Sequence, residues 1–215
     1  MKTCYIIGAG DFHTPFSKEE SDMVIAADGG YDNAEKFGIR CDLLIGDLDS
    51  IERIPEGIET IRHPVMKDET DMYLAYLEGK RRGYTHFEIH GGTGGRIDHT
   101  FANFSLLSAI RNNGDSAILC DTGWYATVIK NESVSFLGNV GEHLSIFAFG
   151  GVARGISLFG LLYSLSNGEL SPDSQLGISN SFTENKATVT VRDGSLLVII
   201  EKSKNRTRHK ENLVL

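Results

Sequence analysis

Met23-Val24-Ile25-Ala26-Ala27-Asp28-Gly29-Gly30 carries the plainest sign of the fold. Five apolar residues without a polar interruption describe a strand buried on both faces, which is the habit of parallel sheets. An aspartate and two glycines then bend the chain at the strand's carboxyl end. Leu43-Leu44-Ile45-Gly46-Asp47-Leu48-Asp49-Ser50 repeats the pattern, a short buried run followed by acidic residues on a turn. Open α/β sheets collect their ligands beyond the carboxyl ends of such strands, so Asp28, Asp47 and Asp49 are expected to converge on one crevice. Asp71, in Lys67-Asp68-Glu69-Thr70-Asp71, supplies a fourth carboxylate. Carboxylates clustered without His or Cys suit a hard divalent cation such as Mg²⁺ shared with substrate phosphates. Asp71 and Asp68 also fit a second role, as acidic residues favoured at a helix start.

Outward from these runs, residues 4–7, 58–61, 87–89 and 117–119 complete a series of short apolar strands alternating with helical patterns. Residues 70–82 read as a helix with acids at its start, Lys80-Arg81-Arg82 at its end and Gly83 beyond it. Residues 97–111 read as another, with Ile97, Phe101, Phe104 and Leu107 on one expected buried face and Asn112-Asn113-Gly114 as its stop. After about Tyr125 the helical pattern gives way to β-rich runs at 126–129, 134–137, 144–149, 186–191 and 196–201, with Asp193-Gly194 expected as the hairpin turn into the final strand. The fold class is therefore α/β: a mostly parallel-sheet domain over residues 1–124, followed by a small all-β sandwich over residues 125–215.

Charge and composition exclude several partners. The chain of 215 residues carries 21 Lys and Arg against 29 Asp and Glu, a net charge of −8, which disfavours nucleic acid. No apolar run is long enough for a signal peptide or a membrane span. The three cysteines, Cys4, Cys41 and Cys120, suggest a reducing compartment, so a cytoplasmic location is expected. His86 and His90 lie about 13 Å apart on a strand and cannot share an ion. The alternating basic residues Lys202, Lys204, Arg206, Arg208 and Lys210 read as a solvated terminus.

His90-Gly91-Gly92-Thr93-Gly94-Gly95-Arg96-Ile97-Asp98-His99 has a separate meaning. Four glycines let backbone N–H groups approach an anion, and the helix that follows directs its positive end to the same place. Arg96 adds a planar fork suited to phosphate oxygens. Taken alone, the glycines also fit a flexible turn, and His99 fits either an acid/base group or a polar surface residue. The segment lacks the Lys-Ser/Thr ending of a Walker A loop, and Gly8-Ala9-Gly10 lacks the third glycine of a dinucleotide fingerprint.

In this order, Ala27-Asp28-Gly29-Gly30, Gly46-Asp47-Leu48-Asp49-Ser50, Lys67-Asp68-Glu69-Thr70-Asp71 and Gly94-Gly95-Arg96-Ile97-Asp98-His99 resemble the motif set of the thiamine pyrophosphokinase (thiamine diphosphokinase) family. A weaker likeness resumes at Gly160-Leu161-Leu162-Tyr163 and Gly177-Ile178-Ser179-Asn180-Ser181-Phe182. Ser181 stands where an acidic residue often follows the Ser-Asn pair. The resemblance implies an ATP-binding α/β domain, a thiamine-binding β-sandwich and a homodimer with thiamine near the subunit interface. It implies diphosphate transfer from ATP to thiamine, giving thiamine diphosphate and AMP. By matching position, Asp28, Asp47, Asp49 and Asp71 would hold Mg²⁺, and Asp71, Arg96 and Asp98 would serve catalysis. Gly29, Gly30, Lys67, Thr70, Gly94, Gly95, Arg96 and His99 would line the ATP site with those carboxylates, and Ser179 and Asn180 would contact thiamine. A Mg²⁺-dependent nucleotide phosphohydrolase and a non-catalytic nucleotide-binding regulatory module are the alternatives.

Overall fold

The computed structural model describes residues 2–13, 16–48, 56–64, 66, 68–202 and 213–214. The chain divides into two compact units, residues 1–122 and 123–215. The division falls two residues before the expected end of the first domain, because Trp124 already opens a strand of the second.

In the first unit the strands are β1 (Cys4–Ile7), β2 (Met23–Ala27), β3 (Leu43–Gly46), β4 (Glu59–Arg62), β5 (His86–His90) and β6 (Ser116–Asp121). Helices α1 (Gly30–Lys36), α2 (Asp71–Arg81) and α3 (Ile97–Asn112) are interleaved with them. The strands lie in the order β6-β5-β1-β2-β3-β4, and the pairings between β1, β2, β3, β4, β5 and β6 are parallel. From β1 the chain builds outward through β4, then returns to the other side of β1 for β5 and β6. The reversal of direction therefore lies between β1 and β5, the place where a doubly wound sheet opens a ligand crevice.

The continuous apolar runs are buried on both faces, as parallel strands must be. On one face Tyr5, Ile7, Val24, Ala26 and Leu44 pack with Ala34 of α1. On the other, α2 approaches closely because residue 79 is glycine. A Cβ there would lie 2.8 Å from the Phe87 ring and 2.9 Å from the Cys4 sulfur. Tyr76, one turn earlier, meets Phe87 edge to face with ring centroids 4.9 Å apart. Thr70 caps α2, its hydroxyl accepting from the Tyr73 N–H at 3.2 Å, and Gly83 closes the far end with a φ of 81°.

Helix α3 buries Leu107 as expected but corrects the N-terminal part of the expected face. Its buried residues are Asn103, Leu106, Leu107 and Ile110, whereas Ile97 is 81% exposed and Phe101 66%. Apolar residues occur on several sides of this helix, so periodicity alone could not say which side the sheet would cover.

The second unit holds β7 (Trp124–Lys130), β8 (Ser133–Leu137), β9 (His143–Ala148), β10 (Ala153–Phe159), β11 (Leu165–Leu170), β12 (Asn180–Ser181), β13 (Lys186–Thr190), β14 (Ser195–Glu201) and β15 (Leu213–Val214). They form two antiparallel groups, β12-β9-β14-β7 and β11-β10-β13-β8-β15. Parallel pairing is thus a property of the first unit, and with its antiparallel second unit the chain is mixed. The Asp193-Gly194 hairpin is corrected. Residues 186–190 pair with β8 and β10, while residues 195–201 pair with β7 and β9, so the dipeptide turns a corner from one sheet to the other.

A charge cluster ties α2 to the sheet edge. Glu78 accepts from Arg81 at 2.6 and 2.7 Å and from Arg82 at 2.7 Å, and Arg82 also donates to Glu59 at 2.5 and 3.0 Å. The Arg81 hydrogen bonds, followed by those of Arg82, outweigh burial and pull the Glu78 carboxyl from 4.5 down to about 2. A depressed carboxyl stabilises the fold above its unfolded pKa, so this contribution is complete above pH 4.5 and disappears as pH falls through about 2. Glu78→Gln is expected to lower stability at neutral pH and to flatten the acid limb of the stability curve, as read by urea unfolding at a series of pH values. An unchanged acid limb would show that the cluster carries no net stabilisation.

Candidate active site at the strand ends

The strand ends at the reversal of strand order are held together by backbone contacts that only glycine permits. Beyond β1, the Gly8 N–H donates to the His90 carbonyl at 2.8 Å, Gly10 to Gly91 at 2.8 Å and Asp11 to Thr93 at 2.6 Å. The segment after β1 is therefore laced to the segment after β5, directly at the reversal of strand order. A Cβ on Gly10 would fall on the Thr93 carbonyl, and one on Gly30 on the Ile7 carbonyl. Helix α1 is pinned to the same strand end by Asn33, whose amide donates to the carbonyls of Gly8 at 2.8 Å and Gly10 at 2.9 Å.

The carboxylates are carried to this end by neighbouring strands. Asp28 follows β2 in the left-handed region, φ 48°, and its N–H donates to Ile45 at 2.8 Å. A Cβ on Gly46 would lie 3.0 Å from the Asp28 Cβ, so Asp28 and the Gly46-Asp47 turn are packed side by side. Gly29 and Gly30 lead directly into α1, and Asp47 follows β3; both aspartates are half-buried. Asp71 is the first residue of α2, and the adjacent Met72 sulfur lies 2.8 Å from where a Gly8 Cβ would stand, which brings the start of α2 to the end of β1. Thr70 uses its hydroxyl as the cap of α2. Asp49 and Lys67 lie outside the described residues.

At the mouth of α3 the glycine loop is exposed at Gly94 and Gly95, with φ of 79° and 62°, and Gly91 at its root has φ 59°. Arg96 stands at the N-cap position of the helix and grips Asp98 with two hydrogen bonds, Nη2 to Oδ2 at 2.6 Å and Nε to Oδ1 at 3.2 Å. Asp98 also accepts from the His99 N–H at 3.0 Å. The Arg96 guanidinium holds the Asp98 carboxyl below its ordinary range, and Asp98 in turn raises Arg96. Both side chains are mostly exposed, so solvent screens the pair and either partner is readily exchanged for a ligand.

Three residues of this end escaped the sequence reading. Asp11 lies against Gly94, where an added Cβ would fall on its carboxyl group. The Thr93 hydroxyl donates to Asp121 at the end of β6, fixing the loop from the other side. Asn33 is the third. Asp11 repeats the pattern of Asp47, an acidic residue just beyond a buried run and a glycine, and that is the signal the sequence offers.

In the second unit, Ser179 is exposed with φ 57°, and its N–H donates to the Ser145 hydroxyl at 3.0 Å. Asn180 is only 4% exposed. Its Oδ1 accepts from Tyr163 and Ser181, each at 2.9 Å, and its Nδ2 donates to the Tyr163 carbonyl at 2.7 Å. The amide thus braces the 161–163 segment from within.

Two family models match the chain: thiamin pyrophosphokinase, catalytic domain, over residues 17–119, and thiamin pyrophosphokinase, vitamin B1 binding domain, over residues 128–196. Thiamine pyrophosphokinase from Bacillus subtilis (strain 168) is 25% identical over 218 residues, covering 93% of this chain and 98% of that one. The crystal structure of thiamine pyrophosphokinase from Bacillus subtilis is similar in fold, with a TM-score of 0.85 at 23% identity over 94% of this chain and 100% of that one. A thiamin pyrophosphokinase family protein from Enterococcus faecalis gives a TM-score of 0.81 at 27% identity, covering 95% and 100%.

The two exposed glycines allow an internal comparison. Nothing lies within 4 Å of a Cβ placed on Gly95, whereas one on Gly94 meets the Asp11 carboxyl. Gly95→Ala should cost only the left-handed backbone penalty of about 1–2 kcal/mol. Gly94→Ala should cost more and also displace Asp11, with a larger fall in thermal midpoint by differential scanning calorimetry. Equal losses would show that Asp11 moves aside freely.

Proposed function

The chain belongs to the thiamine pyrophosphokinase family, and we propose that its first unit holds ATP with a divalent cation in the crevice beyond β1, β2, β3 and β5 while its second unit receives thiamine. The reaction is transfer of a diphosphate group from ATP to thiamine, giving thiamine diphosphate and AMP. The observation that carries the division of labour is the meeting, at the reversal of strand order, of aspartate-bearing strand ends with a glycine loop leading into α3. A hydrolase or a regulatory module is not favoured by either domain match.

Asp28, Asp47 and Asp71 offer hard oxygen donors on neighbouring elements, a donor set that fits Mg²⁺, with Asp49 as a further candidate. When bound, such an ion supplies charge neutralisation and orientation of the phosphates. The chain's own groups do the rest. N–H groups of the Gly91–Gly95 loop and the start of α3 face developing phosphate charge, and Gly29, Gly30, Thr70 and His99 border the same space. Arg96 exchanges Asp98 for phosphate oxygens, which it meets with a two-point fork. Asp98, released from the guanidinium that holds its pKa down, becomes the stronger acceptor for the proton of the thiamine hydroxyl. The hydroxyl oxygen forms its bond to the β-phosphorus as the bond from that phosphorus to the AMP oxygen breaks.

For the second unit, Ser179 is the better candidate for direct contact with thiamine, and Asn180 acts by holding Tyr163. Leu162, Tyr163 and Ile178 are 60%, 66% and 44% exposed on two segments joined by the Leu162 N–H to Ser181 hydrogen bond at 2.9 Å. An apolar group of this kind suits a homodimer contact beside the acceptor. Cys4, Cys41 and Cys120 are free thiols, which fits action in the cytoplasm. Among the described residues no helix is long and apolar enough to cross a membrane.

Mass spectrometry of products from protein, ATP, Mg²⁺ and thiamine is expected to show thiamine diphosphate and AMP in equal amounts, with AMP absent when thiamine is omitted. AMP or ADP formation without thiamine would favour the hydrolase. Arg96→Lys retains charge but loses the fork, so single-turnover transfer should slow by roughly tenfold or more with little change in ATP binding. An unchanged transfer rate would confine Arg96 to anchoring the loop.

A further inference from the structure

Beside the strand-end crevice, and distinct from its carboxylates, the sheet presents a second set of metal-binding atoms. Glu88 and His90 are two residues apart on β5 and so project from the same face. Cys120 on β6 is the register partner of His90. One ligand atom of each lies within 4.8 Å of the others, and the Glu88 Oε1 is 2.9 Å from the His90 Nε2. His90 and Cys120 are each 3% exposed, and the rings of Phe16 and Phe12 stand 4.6 and 5.5 Å from the imidazole, centroid to centroid. Glu88 retains more exposure than the other two, giving an ion a way in.

We propose that Glu88, His90 and Cys120 bind a borderline-soft divalent ion of the Zn²⁺ class. Thiolate, imidazole and carboxylate are together the donor set of zinc, whereas Mg²⁺ takes oxygen alone. Donors of a tetrahedral zinc site sit roughly 3.3–3.7 Å apart for metal–ligand bonds of about 2.0–2.3 Å, a spacing within side-chain rotation of that observed. Three protein ligands leave a fourth position for water. The surrounding aromatic rings lower the local dielectric and strengthen binding of a cation to an anionic thiolate and carboxylate. The placement also couples the site to the crevice. His90 is the last residue of β5, its carbonyl accepts from Gly8, and Gly91 begins the glycine loop, so a bound ion clamps the root of that loop to β6.

Co²⁺ is the spectroscopic probe, added to the full-length protein under reducing conditions with Mg²⁺ in excess to occupy hard sites. A thiolate-to-cobalt charge-transfer band with tetrahedral visible bands, saturating at a single equivalent and abolished by Zn²⁺, is the expected result. Cys120→Ser should remove the charge-transfer band. Glu88→Gln, at the most exposed of the three ligands, should weaken Co²⁺ binding by about tenfold or more. Asp47→Asn should leave the band unchanged. No charge-transfer band in the wild type overturns the site, as does its persistence in Cys120→Ser or unaltered affinity in Glu88→Gln. Loss of the band in Asp47→Asn would place the ion in the crevice and equally overturn it. If Cys120→Ser does not fold, the wild-type spectrum and the Glu88→Gln affinity decide the matter.

Discussion

The lacing of the β1 exit to the β5 exit is the constraint on which the rest of the site depends. The hydrogen bonds from Gly8, Gly10 and Asp11 to His90, Gly91 and Thr93 hold two backbones closer than any side chain would allow. Because the strand order reverses between these strands, the same contact fixes the place where ligands of such sheets collect and the root of the glycine loop. Helix α1, through Asn33, and helix α2, through Met72, are referred to that point as well. Substitution of any of these glycines acts first on geometry and only then on chemistry.

Electrostatics explain why the polar groups are arranged as they are. In the proposed site a cation and the positive ends of helices would offset the like charges of aspartates carried by adjacent strand ends. Arg96 and Asp98 meanwhile satisfy each other at the surface, where screening keeps the pair weak and exchangeable. That is the proposed route from a resting ion pair to a phosphate contact and a freed base. In the second unit the logic is different. Asn180 spends its amide on the backbone of Tyr163, so in the proposed acceptor site it acts by bracing that segment.

Much of the first unit was legible because buried parallel strands write themselves as uninterrupted apolar runs. Residues 23–27 and 43–46 are of this kind, and Thr70, Asp71, Lys80 and Gly83 mark α2 at both ends. Helix α1 was missed since seven residues bury only Gly30 and Ala34, too few for a period to register. Strands β10 and β11 were missed because their register shifts between Arg154 and Leu158 and because β11, Leu-Ser-Asn-Gly-Glu-Leu, is a polar edge strand. Asp193-Gly194 shows the limit of a turn motif, which reports a bend but not which sheet the chain enters next. The site divides in the same way. Asp28, Asp47 and Asp71 are candidates that local context alone suggests, whereas Asp11, Asn33 and the pairing of His90 with Cys120 depend on which strands become neighbours, and that is a property of topology.

Aspartates on separate strand and helix ends are proposed to act together through a cation on the nucleotide's phosphates. Calorimetric titration of a non-hydrolysable ATP analogue, with and without Mg²⁺, on wild type, Asp47→Asn and Asp71→Asn addresses this directly, with circular dichroism to verify folding. The account predicts tight binding to the wild type only when Mg²⁺ is present, and loss of that Mg²⁺-dependent increment in both folded variants. Binding that is the same with and without Mg²⁺, or an increment preserved in both variants, would contradict it.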